Sequence, residues 1–156
     1  MKTNSMIIIV ALLFVFSYSA TSTNNTKINQ AYSEPLQDTN SNIKTKLVYH
    51  LSSDEPWRAT IALHDSQTML DEGYNVTLML SIEGVQLGIK QPHHYLGLNN
   101  LISNVTDFMG NGGNVIICEI CLKIAGYNNS DIIDGAIIGT PQIIANLLNK
   151  TTVVDY

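Results

Sequence analysis

Short apolar runs alternate with amphipathic stretches from Lys46 to the end of the chain, and this pattern predicts strands separated by helices. The predicted strands are 46–51, 75–81, 113–117, a short strand within 132–138, and 151–154. Helical patterns occupy the stretches from about Pro56 to Gly73, 98–109, 119–126 and 140–148. Strands that alternate with helices favour a mostly parallel sheet covered on both faces. The pattern therefore predicts an α/β fold with a five-stranded sheet.

The first of these helices has boundary signals of its own. Ser53 or Asp54 is expected to cap its start, with Pro56 in the first turn. Gly73 is expected to end it, because glycine adopts the left-handed conformation that closes many helices. Trp57, beside the proline, is interpreted as a packing residue.

The first 45 residues have a different composition from the rest of the chain. Lys2 is followed by the apolar run 6–16 and then by small residues, which is typical of an export signal. A retained membrane anchor is the alternative, although the run is shorter than the ~20 residues that usually span a bilayer. We interpret 1–22 as signal peptide or anchor, 23–45 as a disordered polar tether, and 46–156 as the folded domain. The protein is expected to be exported, either secreted or held at a membrane.

The overall composition narrows the classes of partner. The chain has 156 residues, of which 45% are hydrophobic, so one domain with an ordinary core is expected. Its formal net charge is −5, and no cluster of lysine or arginine is present. Binding to the phosphate backbone of nucleic acid is therefore not expected.

The two cysteines of the chain, Cys118 and Cys121, lie where a predicted buried strand runs into a helix. The unpaired N–H groups at the start of a helix favour a thiolate over a thiol, which makes sulfur nucleophilic. Cys121 lies one helical turn along and could attack a persulfide or mixed disulfide on Cys118. A short stabilising disulfide, or a pair of buried thiols, is the structural alternative.

The carboxyl ends of parallel strands are where sites form in such sheets, and other polar residues are predicted there. His50 ends the first strand, and Glu83 follows the second. Both are candidate catalytic groups beside Cys118 and Cys121, with His50 as a base.

Other kinds of site find little support in the sequence. His93 and His94 could join the two thiols around zinc, but neighbouring histidines diverge and no second CxxC or HxxxH motif is present. No glycine-rich phosphate loop occurs. We therefore expect neither a metal nor a cofactor. A thioredoxin-type oxidoreductase also places CxxC at the start of a helix, but here the motif follows two earlier strand–helix units.

Several segments together resemble the DsrE/DsrF-like family over Lys46–Tyr156. They are 47–63, Glu83-Gly84-Val85, 118–126 and the helix that Thr140-Pro141 begins. The resemblance implies a compact three-layer α/β/α sandwich. In the sulfur-relay members it also implies a cysteine that carries a persulfide and passes it to a partner protein. Cys118 matches that cysteine by its spacing before Gly126. Relay members are cytoplasmic, whereas this chain is predicted to be exported, and the relay chemistry does not require a second cysteine.

These inferences lead to two hypotheses of different classes. In the first, the chain is a DsrE-like protein that handles sulfur through Cys118, as a persulfide carrier, a sulfurtransferase or a thiol redox protein. Its partner would be a sulfur donor or acceptor protein or a small sulfane-sulfur compound. In the second, it is a non-catalytic binding or assembly module in which the cysteines are incidental. A homo-oligomer is expected in both cases.

Overall fold

The computed structural model describes residues 45–93 and 97–156. The predicted leader, all but the last residue of the predicted tether, and His94 lie outside these ranges. Within the described part of the chain, no helix is both long enough and apolar enough to cross a membrane.

The predicted alternation of strands and helices is confirmed in the described residues. The strands are β1 (Lys46–Leu51), β2 (Asn75–Leu80), β3 (Asn114–Cys118), β4 (Ile137–Gly139) and β5 (Thr151–Asp155). The α-helices are α1 (Pro56–Asp71), α2 (Leu98–Gly110), α3 (Glu119–Ile124) and α4 (Pro141–Leu148). Two 3-10 helices, Ile82–Gly88 and Asn129–Asp131, complete the elements.

The five strands form one sheet in the order β4-β3-β2-β1-β5, and all neighbouring strands are parallel. Crossovers between parallel strands are almost always right-handed. The three connections that step from β1 to β4 therefore place α1, α2 and α3 on one face of the sheet. The return from β4 to β5 places α4 on the other face, which we call the α4 face. The result is the predicted three-layer α/β/α arrangement.

The main hydrophobic core lies between the sheet and the three helices α1, α2 and α3. Alternate strand residues point into it, because successive side chains of a strand face opposite sides of the sheet. Its buried members include Tyr49, Leu51, Leu78, Leu80 and Ile117 from the strands, and Ala62, Leu63, Leu101, Phe108 and Leu122 from the helices.

The α4 face is covered less completely than the core face. Val48 and Ile116 are buried on it, yet no residue of α4 is itself buried. Gly139 lets α4 approach β4, because a Cβ there would overlap the side chains of Ile116 and Ile144. The outer strands remain open: Ile137 is 44% and Val153 is 47% exposed.

The start of α1 differs from the prediction. The N-cap is Glu55, whose carboxylate accepts Trp57 N–H at 3.0 Å and Arg58 N–H at 2.9 Å. The expected cap at Ser53 or Asp54 is wrong because the helix begins at Pro56, and the side chain of Glu55, directly before it, reaches forward to these amides. Trp57 does not pack as expected either, since it is 76% exposed.

The strand predicted within 132–138 begins late, at Ile137. The residues before it form backbone contacts outside the sheet. Ile132 forms an isolated antiparallel bridge with Ile89, and Ile133 N–H donates to the Gly88 carbonyl at 2.8 Å. Gly135 then turns the chain with a φ of 92°. Only three residues are left to pair with β3, which makes β4 a short edge strand.

Candidate functional site

Cys118 is the last residue of β3 and the N-cap of α3. The apolar run of β3 ends there because the next residues turn into the helix, and Cys118 has φ −59° and ψ 116°. Its Sγ accepts the Cys121 N–H at 3.3 Å, so the sulfur lies where the helix begins, as expected. Both cysteines are half-buried. The sulfur is neither sealed beneath apolar side chains nor turned away from the amides of the helix.

Cys118 and Cys121 are joined by a disulfide, with their Cα atoms 5.3 Å apart. The bond closes the first turn of α3, and Cys121 also packs against the edge of the main core. The arrangement holds the two sulfurs together in a pair that can cycle between dithiol and disulfide.

Glu119, between the cysteines, is paired within its own helix. Its carboxylate accepts from Lys123 Nζ at 2.6 Å, one turn along α3. An unpaired carboxylate here would oppose the formation of a thiolate, because like charges repel. The ion pair with Lys123 offsets that effect.

His50 lies in β1 and connects two residues that the sequence argument did not single out. Its Nδ1 is 2.6 Å from Asp155 Oδ1 in β5, and its Nε2 is 2.6 Å from the hydroxyl of Ser81, which follows β2. Ser81 is only 6% exposed. The three side chains therefore form one hydrogen-bonded row across neighbouring strands at the carboxyl edge of the sheet.

The signal that could have identified Ser81 and Asp155 was present in the sequence. Ser81 ends the predicted strand 75–81 and Asp155 directly follows the predicted strand 151–154, and the carboxyl ends of parallel strands share one edge. What the sequence did not provide was the strand order, which places β5 beside β1 and so brings Asp155 to His50.

The other candidates stay apart from this row. Glu83 is exposed on the 3-10 helix Ile82–Gly88. His93 stacks on Tyr127 with ring centroids 4.4 Å apart, and its backbone N–H donates to the Tyr127 hydroxyl. Among residues 45–93 and 97–156, no three or more histidine, cysteine, aspartate or glutamate side chains group as metal ligands would.

Large apolar side chains are exposed on the elements that carry the cysteines and Ser81. Ile120 lies between the two cysteines and is 62% exposed, and Ile124 at the end of α3 is 82% exposed. Ile82, directly after Ser81, is 57% exposed and has a φ of 51°, a left-handed conformation that is costly for a β-branched residue. We call Ile82, Ile120 and Ile124 the isoleucine surface.

Comparison with protein families adds an independent line of evidence. The model of the DsrE/DsrF-like family matches residues 11–156, which is most of the chain. The chain belongs to the DsrE/DsrF-like family. The match confirms the family that the sequence segments resembled.

Two solved structures illustrate the fold that this chain shares with known proteins. The protein of unknown function MTH1491 from Methanobacterium thermoautotrophicum has 13% identity and a TM-score of 0.62, and the match covers 72% of this chain and 100% of that one. The ychN protein from E. coli has 16% identity and a TM-score of 0.57, covering 72% of this chain and 99% of that one. At these identities the likeness concerns the fold alone. Comparison with curated proteins gave no match.

Proposed function

We propose that this DsrE-family chain handles sulfur through Cys118, with Cys121 as the thiol that releases it. The observation that carries the proposal is the pairing of two half-buried cysteines at the corner between β3 and α3. Cys121 N–H already donates to Cys118 Sγ, and a donor at this place favours the anionic forms of that sulfur. The family is commonly related to sulfur relay, which supports the same conclusion.

The chemistry proceeds from the reduced dithiol. The Cys118 thiolate attacks the sulfane sulfur of a persulfide or polysulfide, and the S–S bond of the donor breaks to leave a thiolate. Cys118 then carries the sulfur as a persulfide, whose terminal atom an acceptor nucleophile can take.

Alternatively, the Cys121 thiolate attacks Cys118 Sγ and forms the disulfide seen in the structure. The terminal sulfur leaves as hydrosulfide, so the dithiol loses two electrons and the sulfane sulfur gains them. A dithiol reductant from outside restores the starting state.

A stabilising disulfide explains the pair less well. In the chain-entropy account, a disulfide stabilises by restricting the unfolded chain, and the effect is smallest for the shortest loops. Two residues separate Cys118 from Cys121, so little stabilisation is expected. A reversible chemical role is a better reason for this spacing.

The donor or acceptor of the sulfur is a protein in this proposal, with a small sulfane-sulfur compound as the other source. The isoleucine surface supports a protein partner, because exposed apolar side chains beside a reactive group are typical of surfaces that bind other proteins. The location that we propose is outside the cytoplasm, on the basis of the N-terminal sequence. A disulfide is consistent with an oxidising compartment.

Mass spectrometry of the reduced chain after treatment with polysulfide tests the proposal. We expect one added sulfur atom on Cys118. The matched variants separate the two thiols: Cys118→Ser should lose the adduct, while Cys121→Ser should retain it longer than the wild type because no resolving thiol remains.

The opposite pattern would count against the proposal. If Cys118→Ser gains as much sulfur as the wild type, or if wild-type Cys118 stays unmodified while free cysteine in the same solution is modified, Cys118 is not a sulfur carrier. The second candidate function, a binding or assembly module, would then stand. The open apolar positions on the α4 face, Ile137 and Val153, favour that candidate.

A further inference from the structure

The hydrogen bonds of His50 have a defined direction. The Asp155 carboxylate can only accept a hydrogen bond when ionised, so Nδ1 of His50 carries the proton between them. In the neutral imidazole Nε2 is then the acceptor, and the Ser81 hydroxyl donates to it. This is the direction in which a carboxylate and an imidazole together withdraw a proton from a hydroxyl group.

Ser81 is too buried for the hydroxyl to serve a bulky substrate, since only 6% of the residue is exposed. Its Oγ donates one hydrogen bond to His50 and has lone pairs left to accept another. A neighbouring group that can donate a proton to this hydroxyl oxygen is therefore the expected partner.

The register of the sheet places Cys118 beside Ser81. Leu80 of β2 is aligned with Ile117 of β3, and the residues that follow them are Ser81, just past the end of β2, and Cys118, the last residue of β3. Ser81 keeps an extended backbone, with φ −141° and ψ 170°. Neighbouring strands lie about 4.8 Å apart, which is within reach of one hydrogen bond between two short side chains.

Alternation along the strands assigns both residues to the same face of the sheet. Ser81 shares its face with His50, as their hydrogen bond requires. His50 is aligned with Met79, and Met79 with Ile116, so Cys118, two residues after Ile116, also belongs to the α4 face. The hydrogen-bonded row from Asp155 through His50 therefore ends at Ser81, which the register of the sheet places next to Cys118.

We propose that Asp155, His50 and Ser81 form a proton relay that ionises Cys118. The proton of the Cys118 thiol moves to Ser81 Oγ while the hydroxyl proton of Ser81 moves to His50 Nε2. The products are a thiolate, an intact hydroxyl and an imidazolium that Asp155 stabilises. No electrons are exchanged. The inference rests on the proposed function, since it names the groups that prepare the sulfur for attack.

The remaining charged groups on the elements around Cys118 are few. β2 and β4 contribute none. The charged residues of the 3-10 helix Ile82–Gly88, α2 and α3 are Glu83, Asp107, Glu119 and Lys123. The last two are paired with each other. The other titratable residues of β1 are Lys46, at the opposite end of the strand, and Tyr49, which points into the core. Imidazole is the group among these that exchanges protons most readily near neutral pH, so His50 is the partner best suited to the thiol.

The pH profile of Cys118 reactivity tests the relay. In the full chain with Cys121→Ser, the rate of alkylation by iodoacetamide is measured by mass spectrometry from about pH 5 to pH 10, a range that spans ordinary and depressed thiol pKa values. Ser81→Ala and His50→Gln should each raise the apparent pKa of Cys118 and slow alkylation at pH 7 about tenfold, the effect of one pKa unit. Asp155→Asn should slow it about threefold, because Asp155 is exposed and its charge is screened.

Matched controls separate the relay from general effects on the fold. His64→Gln and Ser66→Ala remove a histidine and a buried serine from α1, and should leave the profile unchanged. Ser81→Thr keeps the hydroxyl and should restore the wild-type profile. If Ser81→Ala does not fold, His50→Gln and Asp155→Asn decide the question, since both positions are at least partly exposed.

The outcomes for the relay and for the sulfur carrier are distinct. Profiles of Ser81→Ala and His50→Gln that match the controls overturn the relay, even where Cys118 accepts sulfur from polysulfide. Shifted profiles in a protein that never forms a persulfide uphold the relay and overturn the proposed function.

Discussion

At the scale of single residues, the carboxyl edge of the sheet is secured by Tyr156. Its backbone N–H donates to the His50 carbonyl at 2.9 Å, and its carbonyl accepts from Ser52 N–H at 3.1 Å. The Tyr156 hydroxyl donates to Asp65 of α1, and its ring stacks on Tyr49 with centroids 6.1 Å apart. Tyr156 thus joins the end of β5 to both β1 and α1, next to the relay.

The pKa of Tyr156 provides a test of that role. Burial raises this pKa well above its ordinary value, and the hydrogen bond to Asp65 and the charge of Asp65 raise it further. The stability that the neutral phenol contributes is therefore complete below about pH 10, the unfolded value, and is lost as the pH rises from there toward the folded value. Tyr156→Phe should cost about 1 kcal/mol of unfolding free energy at neutral pH.

Denaturant unfolding at neutral and alkaline pH measures this effect. The difference in stability between wild type and Tyr156→Phe should shrink as the pH rises above about 10. Asp65→Asn keeps a hydrogen-bond acceptor but removes the charge, so its stability should lie between those of the wild type and Tyr156→Phe. A difference that stays constant at all pH values would show that the phenol does not carry this contribution.

At the scale of elements, strand and helix positions followed from the sequence because their patterns are local. The apolar runs of β1, β2 and β3 and the glycines after α1 and α3 mark their ends within one or two residues. The site was predicted only in part. Cys118, Cys121 and His50 were expected at one edge, but the strand order and register that bring Ser81 and Asp155 to His50 depend on packing between distant segments.

The N-cap of α1 was also not predicted correctly from the sequence, and the observed cap, Glu55, gives a further prediction. Two hydrogen bonds from backbone amides, with Trp57 N–H first and Arg58 N–H second, lower the pKa of Glu55. A lowered pKa means that the stabilising effect of this carboxylate is present above its unfolded value, about 4.5, and is lost as the pH falls through the folded value. Glu55→Ala should lower the midpoint of thermal unfolding at pH 7 by a few degrees, roughly 2–5 °C.

Thermal melts at pH 7 and at acidic pH measure the contribution of Glu55. The gap between wild type and Glu55→Ala should narrow in acid, once the carboxylate is protonated. Asp107→Asn, at an exposed position in α2, should leave the melting temperature unchanged. A gap that does not narrow would mean that Glu55 acts through packing and not as a charged cap.

At the scale of the whole molecule, the two faces of the sheet are covered unequally. Among the described helices, three cover the core face and only α4 crosses the other face, where Leu148 is 45% and Val153 is 47% exposed. Large apolar side chains left exposed are typical of surfaces that bind another subunit. This inequality supports the expectation of a homo-oligomer.

Charged substitutions on the α4 face test the expectation. Leu148→Lys and Val153→Lys should each shift the chain toward a smaller species in size-exclusion chromatography with light scattering, because a lysine ammonium is costly to bury. Ile61→Lys on α1, behind the other face of the sheet, is the matched control and should not change the assembly. A wild-type chain that remains monomeric at every concentration would contradict the prediction.

The position of β5 has a consequence for the relay. In the described sheet β5 pairs only with β1, so its hydrogen bonds can open while the pairing among β1, β2 and β3 stays intact. Fraying of β5 would move the Asp155 carboxylate away from His50, while both sulfurs would keep their positions in β3 and α3. Ionisation of the Cys118 thiol would then depend on whether β5 is paired with β1, independently of the global stability of the domain.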